Sequence, residues 1–147
     1  MSAVDFDLDT SDFDRKWPQF QRILITLPRK YLEEGAGIYE SQMHEEIQPF
    51  SKSGRLDASV TSEVKNDDAT IRTNTGYGKA VDEGRRGFHV EGNPLRFIVN
   101  GKVVFSRWAN PGPAIGHRFK IATIKNAHPR ILSMLDYTTR AEFSKIQ

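Results

Sequence analysis

The segment LRFIVNGKVVFSRW, residues 95–108, constrains the fold of this 147-residue chain more than any other stretch. It consists of two runs rich in β-branched and aromatic residues, and Asn100 and Gly101 lie between them. Both central residues of a type I′ turn need positive φ, which asparagine and glycine adopt at low cost. The segment therefore predicts an antiparallel β-hairpin that turns at these two residues.

A second pair of antiparallel strands is predicted between residues 55 and 75. In RLDASVTSEV every second residue from Leu56 to Val64 is apolar or small, and the residues between them are polar. This period of two is typical of a strand with one buried face. KNDD then provides a turn, and ATIRTNT is the expected return strand.

Helical patterns precede these strands. Apolar residues recur at helical spacing over residues 13–27, with Pro18 expected in the first turn of the regular helix. Pro28 is expected to end or kink this helix, because proline lacks the N–H that a helix interior requires. A second amphipathic helix is predicted over residues 29–47, before the turn-forming segment QPFSKSG.

Two more helices are expected after ANPGP, the first from Ala114 to about Asn126 and the second over residues 129–146, with Pro129 in its first turn. The whole order predicts an α+β domain. We expect an antiparallel β-sheet with a protruding β-hairpin and a long loop. Helices from both the N- and C-terminal parts are expected to pack on one face of the sheet.

Charge is distributed unevenly along the chain. Residues 1–14 contain five aspartates and no basic residue, whereas the rest has 14 acidic residues against 21 lysines and arginines. We therefore divide the chain into an acidic N-terminal arm, residues 1–14, and a single domain, residues 15–147. The arm is either a solvated leader or a segment that docks on a basic surface of another subunit.

Other classes of protein are disfavoured by composition. The chain has no cysteine, which excludes disulfides and thiolate metal sites. No apolar run approaches the roughly 18 residues that a membrane helix needs. The acidic start lacks the pattern of a secretory signal, so we expect synthesis in the cytoplasm and no membrane partner.

The stretch NTGYGKAVDEGRRG, residues 74–87, raises the question of a phosphate-binding loop. A Walker A loop requires GxxxxGK followed by serine or threonine. Here Gly76 lies two residues before Gly78, and Ala80 follows Lys79, so both the spacing and the hydroxyl are wrong. We interpret the stretch as a structural turn that leads into a basic loop.

The sequence also argues against a catalytic site and against a metal-binding site. Asp82 and Glu83 are adjacent, so their side chains point in different directions on a helix or strand. The segment MHEEI lacks the second histidine of a zinc-binding HExxH helix. We therefore expect no catalytic residue, no metal site and no cofactor, and we expect that the protein is not an enzyme.

The segment EGRRGFHVEGNP is expected to form a loop of about a dozen residues, which is long for a compact domain. Arg85, Arg86 and Phe88 are residue types that anchor interfaces, because arginine binds carboxylates in a fork and phenylalanine buries a large area. The loop is a mobile segment, a protein–protein contact or a DNA contact, and the residues alone leave these alternatives open.

Three motifs, in this order, resemble the tail-completion proteins of long-tailed bacteriophages. QPFSKSGRLDAS is similar to the family's P-x-x-T-G-x-L-x-x-S-type segment, YGKAVDEGRR to its Y-A-x-x-V-E-x-G-T segment, and WANPGPAIGHRFKIA to its proline–glycine turn before the C-terminal helix. The resemblance covers roughly residues 20 to 135. The positions that carry it are Pro49, Ser53, Gly54, Leu56, Ser59, Tyr77, Val81, Asp82, Gly84, Pro111, Gly112 and Phe119.

Some positions depart from the family pattern. Ser53 stands in for threonine, Asp82 for glutamate, Gly78 for alanine and Arg85 for threonine, and Pro49 lies one residue further upstream than is common.

This resemblance implies a virion structural protein of the neck, assembled in the host cytoplasm, where the DNA-filled head meets the tail tube. It implies a homo-oligomer, a hexameric ring that completes or terminates the tail and contacts neighbouring neck proteins and the tail tube protein. DNA would pass through the ring without specific binding.

A ring of identical subunits needs two different complementary faces on each copy. We expect Arg85, Arg86 and Phe88 to belong to one face, and the acidic arm to the other, because opposite charges fix register as well as attraction. The arm residues of this interface are Asp5, Asp7 and Asp9, within an acidic stretch that continues to Asp14.

Two alternatives remain. A nucleic-acid-binding domain would use the basic residues of the loop and hairpin, and its affinity would fall steeply with salt. These residues are Arg85, Arg86, Arg96, Lys102 and Arg107. A small hydrolase or nuclease would need an acid–base pair such as Asp82 and Glu83.

Overall fold

The structure, a computed structural model, describes residues 10–146, so Asp5, Asp7 and Asp9 lie outside the described residues. The helices are α1 (Ser11–Ile47), α2 (Gly78–Glu83) and α3 (Phe119–Phe143). The strands are β1 (Val60–Lys65), β2 (Asp68–Thr73), β3 (Gly84–Arg85), β4 (Val90–Val99), β5 (Lys102–Ala109) and β6 (Ala114–Ile115). Helices and antiparallel strands in this order confirm the predicted α+β class.

Helix α1 is one continuous helix, so the prediction that Pro28 ends a first helix is wrong. A proline inside a helix costs about 3 kcal/mol, because the ring lacks an N–H and clashes with the preceding turn. Buried Leu27 precedes Pro28, and buried Ala36 and Met43 follow it. Packing therefore continues on both sides of the proline and offsets its cost.

Helix α3 is also continuous, where two helices were expected. Pro129 lies inside it, and buried Thr123, Ala127 and Thr138 lie on both sides of the proline. The helix starts at Phe119 rather than at Ala114, because Arg118 has a left-handed backbone, φ 52°, that interrupts any helix before it.

The strands of the described residues form three two-stranded antiparallel sheets, β1–β2, β3–β6 and β4–β5, and not the single sheet that was predicted. Strand β1 begins at Val60 instead of Leu56, because Asp57–Ser59 form a short 3₁₀ helix. Local side-chain bonds hold this turn: the Asp57 N–H donates to Ser51 Oγ at 3.1 Å, and Ser59 Oγ donates to the Leu56 carbonyl at 2.6 Å.

The β4–β5 hairpin turns as the sequence predicts. Asn100 and Gly101 have φ of 49° and 77°, and Val99 pairs with Lys102.

The prediction of a loop of about twelve residues before this hairpin is wrong, because only residues 86–89 separate β3 from β4. Strand β4 begins five residues before the predicted run 95–99, and this first part has an irregular register between Glu91 and Leu95. Proline within it argued against a strand in the sequence.

Helices α1 and α3 pack against each other, and α1 also packs against the β1–β2 hairpin. Side-chain bonds link the two helices: Lys30 Nζ donates to Glu142 at 2.5 Å, Thr138 Oγ1 to Glu34 at 2.6 Å, and Arg130 to Gln42 at 3.0 Å. The principal apolar core lies at the C-terminal end of α1. It consists of Met43, Ile47, Leu56, Val60 and Phe119, with Ile71 and Val81 packed against it.

Candidate functional site

The end of α2 joins the start of α3 through a set of backbone bonds. The His117 N–H donates to the Val81 carbonyl at 2.9 Å, and the Arg118 N–H donates to the Asp82 carbonyl at 2.8 Å. Asp82 Oδ1 accepts the Lys120 N–H at 3.0 Å, and the Asp82 residue is only 6% exposed. Because α3 has no side-chain cap of its own, Asp82 satisfies one of its unpaired N–H groups from outside the helix.

Two glycines allow the backbones of β3 and β6 to meet at this joint. A Cβ atom on Gly84 would lie 2.5 Å from the Ala114 carbonyl oxygen, and one on Gly116 would lie 2.3 Å from the Glu83 carbonyl carbon. Gly84 also has a φ of 86°. The stretch from Tyr77 to Gly84 therefore forms a structural junction, but Gly78–Glu83 within it are the short helix α2 and not the turn that was predicted.

The carboxylates of Asp82 and Glu83 do not converge. Asp82 is buried in the junction, with Lys120 Nζ 3.7 Å from its second oxygen, whereas Glu83 is exposed and lies 3.8 Å from Lys79 Nζ. Within residues 10–146, no group of three or more acidic or histidine side chains could hold a metal ion. The same residues contain no helix that is both long and apolar enough to span a membrane.

The first motif surrounds the turn after α1. Pro49 lies in a 3₁₀ helix, Ser53 is exposed, and Gly54 has a φ of 70° and donates its N–H to the Ser51 carbonyl. Leu56 is almost completely buried in the core. These positions thus shape and anchor one turn.

The third motif lies between β5 and α3. The Pro111 carbonyl accepts the Phe88 N–H at 3.2 Å, Gly112 is exposed, and Phe119 is buried in the core. All twelve motif positions therefore lie in or beside turns and junctions.

An open groove of about 650 Å³ lies beside the α2–α3 junction. Its apolar walls include Phe50, Tyr77, Phe88 and Ile115, and we call it the aromatic groove. All four side chains are exposed, and Ile115 is 94% exposed. The Phe50 ring stacks on the imidazole of His117, which also lines the groove, with 3.8 Å between the ring centroids.

The aromatic groove is basic at its rim. Lys52 and Arg85 line it, and its lining contains no acidic residue. The Arg85 guanidinium lies over the Phe88 ring, 4.7 Å from the ring centroid, a cation–π contact. No carboxylate of residues 10–146 forms an ion pair with Lys52, Arg85 or Arg86, so their charges are available to a partner.

The predicted interface residues are thus partly brought together. Arg85 and Phe88 share the aromatic groove, whereas Arg86 is exposed outside its lining. Phe50, Ile115 and His117 were missed, because single apolar or histidine residues in turns carry no periodic signal. The tertiary fold alone brings them together from two distant parts of the sequence.

The β4–β5 hairpin exposes a second apolar surface. Its strands pack mainly on each other, and Ile98 and Phe105 are 72% and 62% exposed. Trp108, Val99, Val103 and Val104 are also exposed. Arg96 pairs with Phe105 in the register, and Lys102 and Arg107 are exposed on the same hairpin.

Polar side chains hold the base of this hairpin. His89 Nδ1 lies 2.5 Å from Asn110 Oδ1, and His89 Nε2 lies 3.0 Å from Glu91 Oε1. The hydrogen bond to Asn110, and then that to Glu91, raise the pKa of His89 above its usual value. The base is therefore most fully bonded when the imidazole is protonated.

The last residues of the predicted acidic arm belong to helix α1, which begins at Ser11. Hydrogen bonds and charge from Lys16, and then from Arg15, lower the pKa of Asp12. The Asp12 carboxylate forms ion pairs with Lys16 Nζ at 3.1 Å and with the Arg15 guanidinium at 2.5 Å. Asp12 is therefore a poor candidate for binding another subunit. Stacked rings of Phe13, Trp17 and Phe20 follow along the helix.

Comparisons with protein-family models, curated proteins and solved structures gave no match to this chain. The resemblance to tail-completion proteins therefore stays a prediction from three short motifs.

Proposed function

We propose that this chain is a structural subunit of the neck of a long-tailed bacteriophage particle, and that six copies form a ring that completes the tail and joins it to the head. The observation that carries this proposal is the exposed apolar surface of the β4–β5 hairpin. An isolated two-stranded hairpin is only marginally stable in water, so this one needs a covering partner. In this proposal the protein acts by binding neighbouring subunits, without catalysis or a cofactor.

The surface of the single chain supports an assembled state. Its accessible surface is 11602 Å². A monomeric globular protein of this mass exposes roughly 7,600 Å² by the usual scaling of surface with mass. The excess, together with the eighteen large hydrophobic residues that are exposed within residues 10–146, is expected of a subunit that buries much of its surface against neighbours.

The motif residues support the same proposal. The resemblance to tail-completion proteins rests on positions that form two turns and the α2–α3 junction, and Gly84 and Asp82 are required there by geometry. These turns and this junction fix the positions of the hairpin and the aromatic groove relative to the helices. Both surfaces lie outside the principal core, as the contact faces of a ring subunit must.

Native mass measurement of the purified protein, alone and mixed with tail tubes, tests the proposal. We expect a species of six copies in at least one of the two conditions. A hairpin variant, Ile98→Thr with Phe105→Thr, keeps β-propensity but removes apolar area, so it should stay monomeric with unchanged circular dichroism. Arg72→Thr, an exposed position on β2, is the matched control and should assemble normally.

Two results would contradict the proposal. A wild-type chain that stays monomeric at all concentrations, and also with tail tubes, is not a ring subunit. A double variant that assembles as well as the wild type would show that the hairpin surface is not a contact face.

Nucleic-acid binding is a second candidate, favoured by one observation. Arg96, Lys102 and Arg107 lie on the same exposed hairpin as Phe105 and Trp108, and basic and aromatic side chains together bind single strands. Binding to DNA that weakens steeply between low and physiological salt, and that is lost in Arg96→Glu with Arg107→Glu, would support it. The neck proposal expects little DNA affinity at physiological salt.

A further inference from the structure

We propose that the aromatic groove binds residues 1–9 of a second copy of this chain. The inference rests on the proposed function, because it supplies the contact that joins consecutive subunits of the ring. It assigns residues 1–9, the first part of the acidic arm, and the groove to each other as the two sides of one interface.

The chemistry of the two surfaces is complementary. The segment MSAVDFDLD alternates Val4, Phe6 and Leu8 with Asp5, Asp7 and Asp9. In an extended segment successive side chains point to opposite sides, so the apolar three can share one face. That face matches the apolar walls of the groove.

The acidic side chains match the rim of the groove. Lys52 and Arg85 line it, Arg86 is exposed nearby in sequence, and none of the three has an acidic partner within residues 10–146. Charge complementarity of this kind adds specificity and register to an apolar contact.

The length of helix α1 shows that residues 1–9 in the groove must come from another copy. Helix α1 has 37 residues, which corresponds to about 55 Å at 1.5 Å per residue. The arm leaves one end of this helix, and Phe50 of the groove follows the other end. Nine extended residues span at most about 30 Å, so the arm of the same chain cannot return to its own groove.

A contact between one end of a subunit and the other end of the next is heterologous. Such contacts generate a closed ring if the rotation between copies closes, and a filament if it does not. The proposed pairing therefore provides the head-to-tail geometry that a ring requires, with α1 as the spacer between donor and acceptor.

Engineered cysteines test the pairing directly, because the chain has none of its own. One full-length variant carries Asp7→Cys and the other Lys52→Cys. After the two are mixed under mild oxidation, with tail tubes added if assembly needs them, we expect a disulfide-linked dimer of the two variants. Its yield should exceed by about tenfold that of the control pair, Asp7→Cys with Lys125→Cys, because docking raises the effective concentration. Lys125 is exposed on α3.

A charge swap supplies the second measurement. Lys52→Glu with Arg85→Glu should prevent assembly, and adding Asp5→Lys, Asp7→Lys and Asp9→Lys to the same chain should restore it. Rings that form normally in the first variant, together with equal cross-linking of both cysteine pairs, would overturn the inference and leave the neck proposal standing. The absence of any ring from the wild type would instead refute the neck proposal.

Discussion

The backbones of Gly84 and Gly116 lie so close that a Cβ atom on Gly116 would be 2.4 Å from the Gly84 amide nitrogen. This approach fixes β3 against β6 and thereby sets the position of Arg85, which follows Gly84 directly. The same joint pairs Ile115 with Gly84, so Ile115 and Arg85 both line the aromatic groove. A local steric requirement thus determines the shape of the proposed interface.

Alanine at either glycine should therefore be strongly destabilising. We expect Gly116→Ala to lower the free energy of unfolding by about 1–3 kcal/mol, the usual cost of overpacking, since the atoms it meets are backbone. Urea unfolding followed by circular dichroism measures this. Gly112→Ala, which meets nothing within 4 Å, is the control and should change stability little. Equal effects of the two substitutions would contradict the close approach.

Removal of the Asp82 side chain should loosen the start of α3. We expect Asp82→Ala to cost about 0.5–2 kcal/mol, as for the loss of a helix cap. Asp82→Asn keeps an acceptor oxygen for the Lys120 N–H and should retain most of the stability. Amide hydrogen exchange at Lys120 reports the cap itself. Glu83→Ala, at an exposed neighbour, should change stability by no more than about 0.5 kcal/mol.

Gly37 offers a stabilising substitution. It is exposed inside helix α1, and a Cβ atom there would meet nothing within 4 Å. Alanine has a better helix propensity than glycine, so Gly37→Ala should raise the free energy of unfolding by about 0.5–1 kcal/mol. Thermal unfolding measures the change. A loss of stability would show that α1 is distorted at this position.

Local sequence signals predicted the elements whose causes are local. Asn100 and Gly101 determine their turn by their own backbone preferences, and the β1–β2 strands follow from alternation. The continuity of α1 and α3 could not be predicted, because the buried residues that offset Pro28 and Pro129 are supplied by tertiary packing. The first half of strand β4, residues 90–94, was not predicted, because proline inside a run is a signal against a strand.

The candidate site was predictable only in part. Arg85 and Phe88 stand out in sequence as an arginine and an aromatic residue among glycines. Phe50 and Ile115 line the same groove because the Gly84–Gly116 joint lies close to the C-terminal end of α1 in the folded chain. No spacing in the sequence predicts this proximity. The sequence therefore identifies Arg85 and Phe88 as anchors, whereas the groove between them is a property of the fold.

The base of the β4–β5 hairpin should respond to pH through His89. Both of its ring nitrogens face acceptor oxygens, of Asn110 and Glu91, and only the protonated imidazole can donate to both. The pKa of His89 is raised in the folded state. Its stabilising contribution is therefore fully present below the unfolded pKa of about 6.5, and it is lost as the pH rises through the folded pKa.

A proton NMR titration should accordingly give His89 a pKa above about 6.5. Amide exchange in β5 near Trp108, corrected for the intrinsic effect of pH, should accelerate as the imidazole loses its proton. His89→Gln should remove this dependence, whereas His128→Gln, on the exposed surface of α3, should preserve it. A His89 pKa at or below the unfolded value would contradict the bonded base, because an imidazole held by two acceptors must keep its proton to a higher pH.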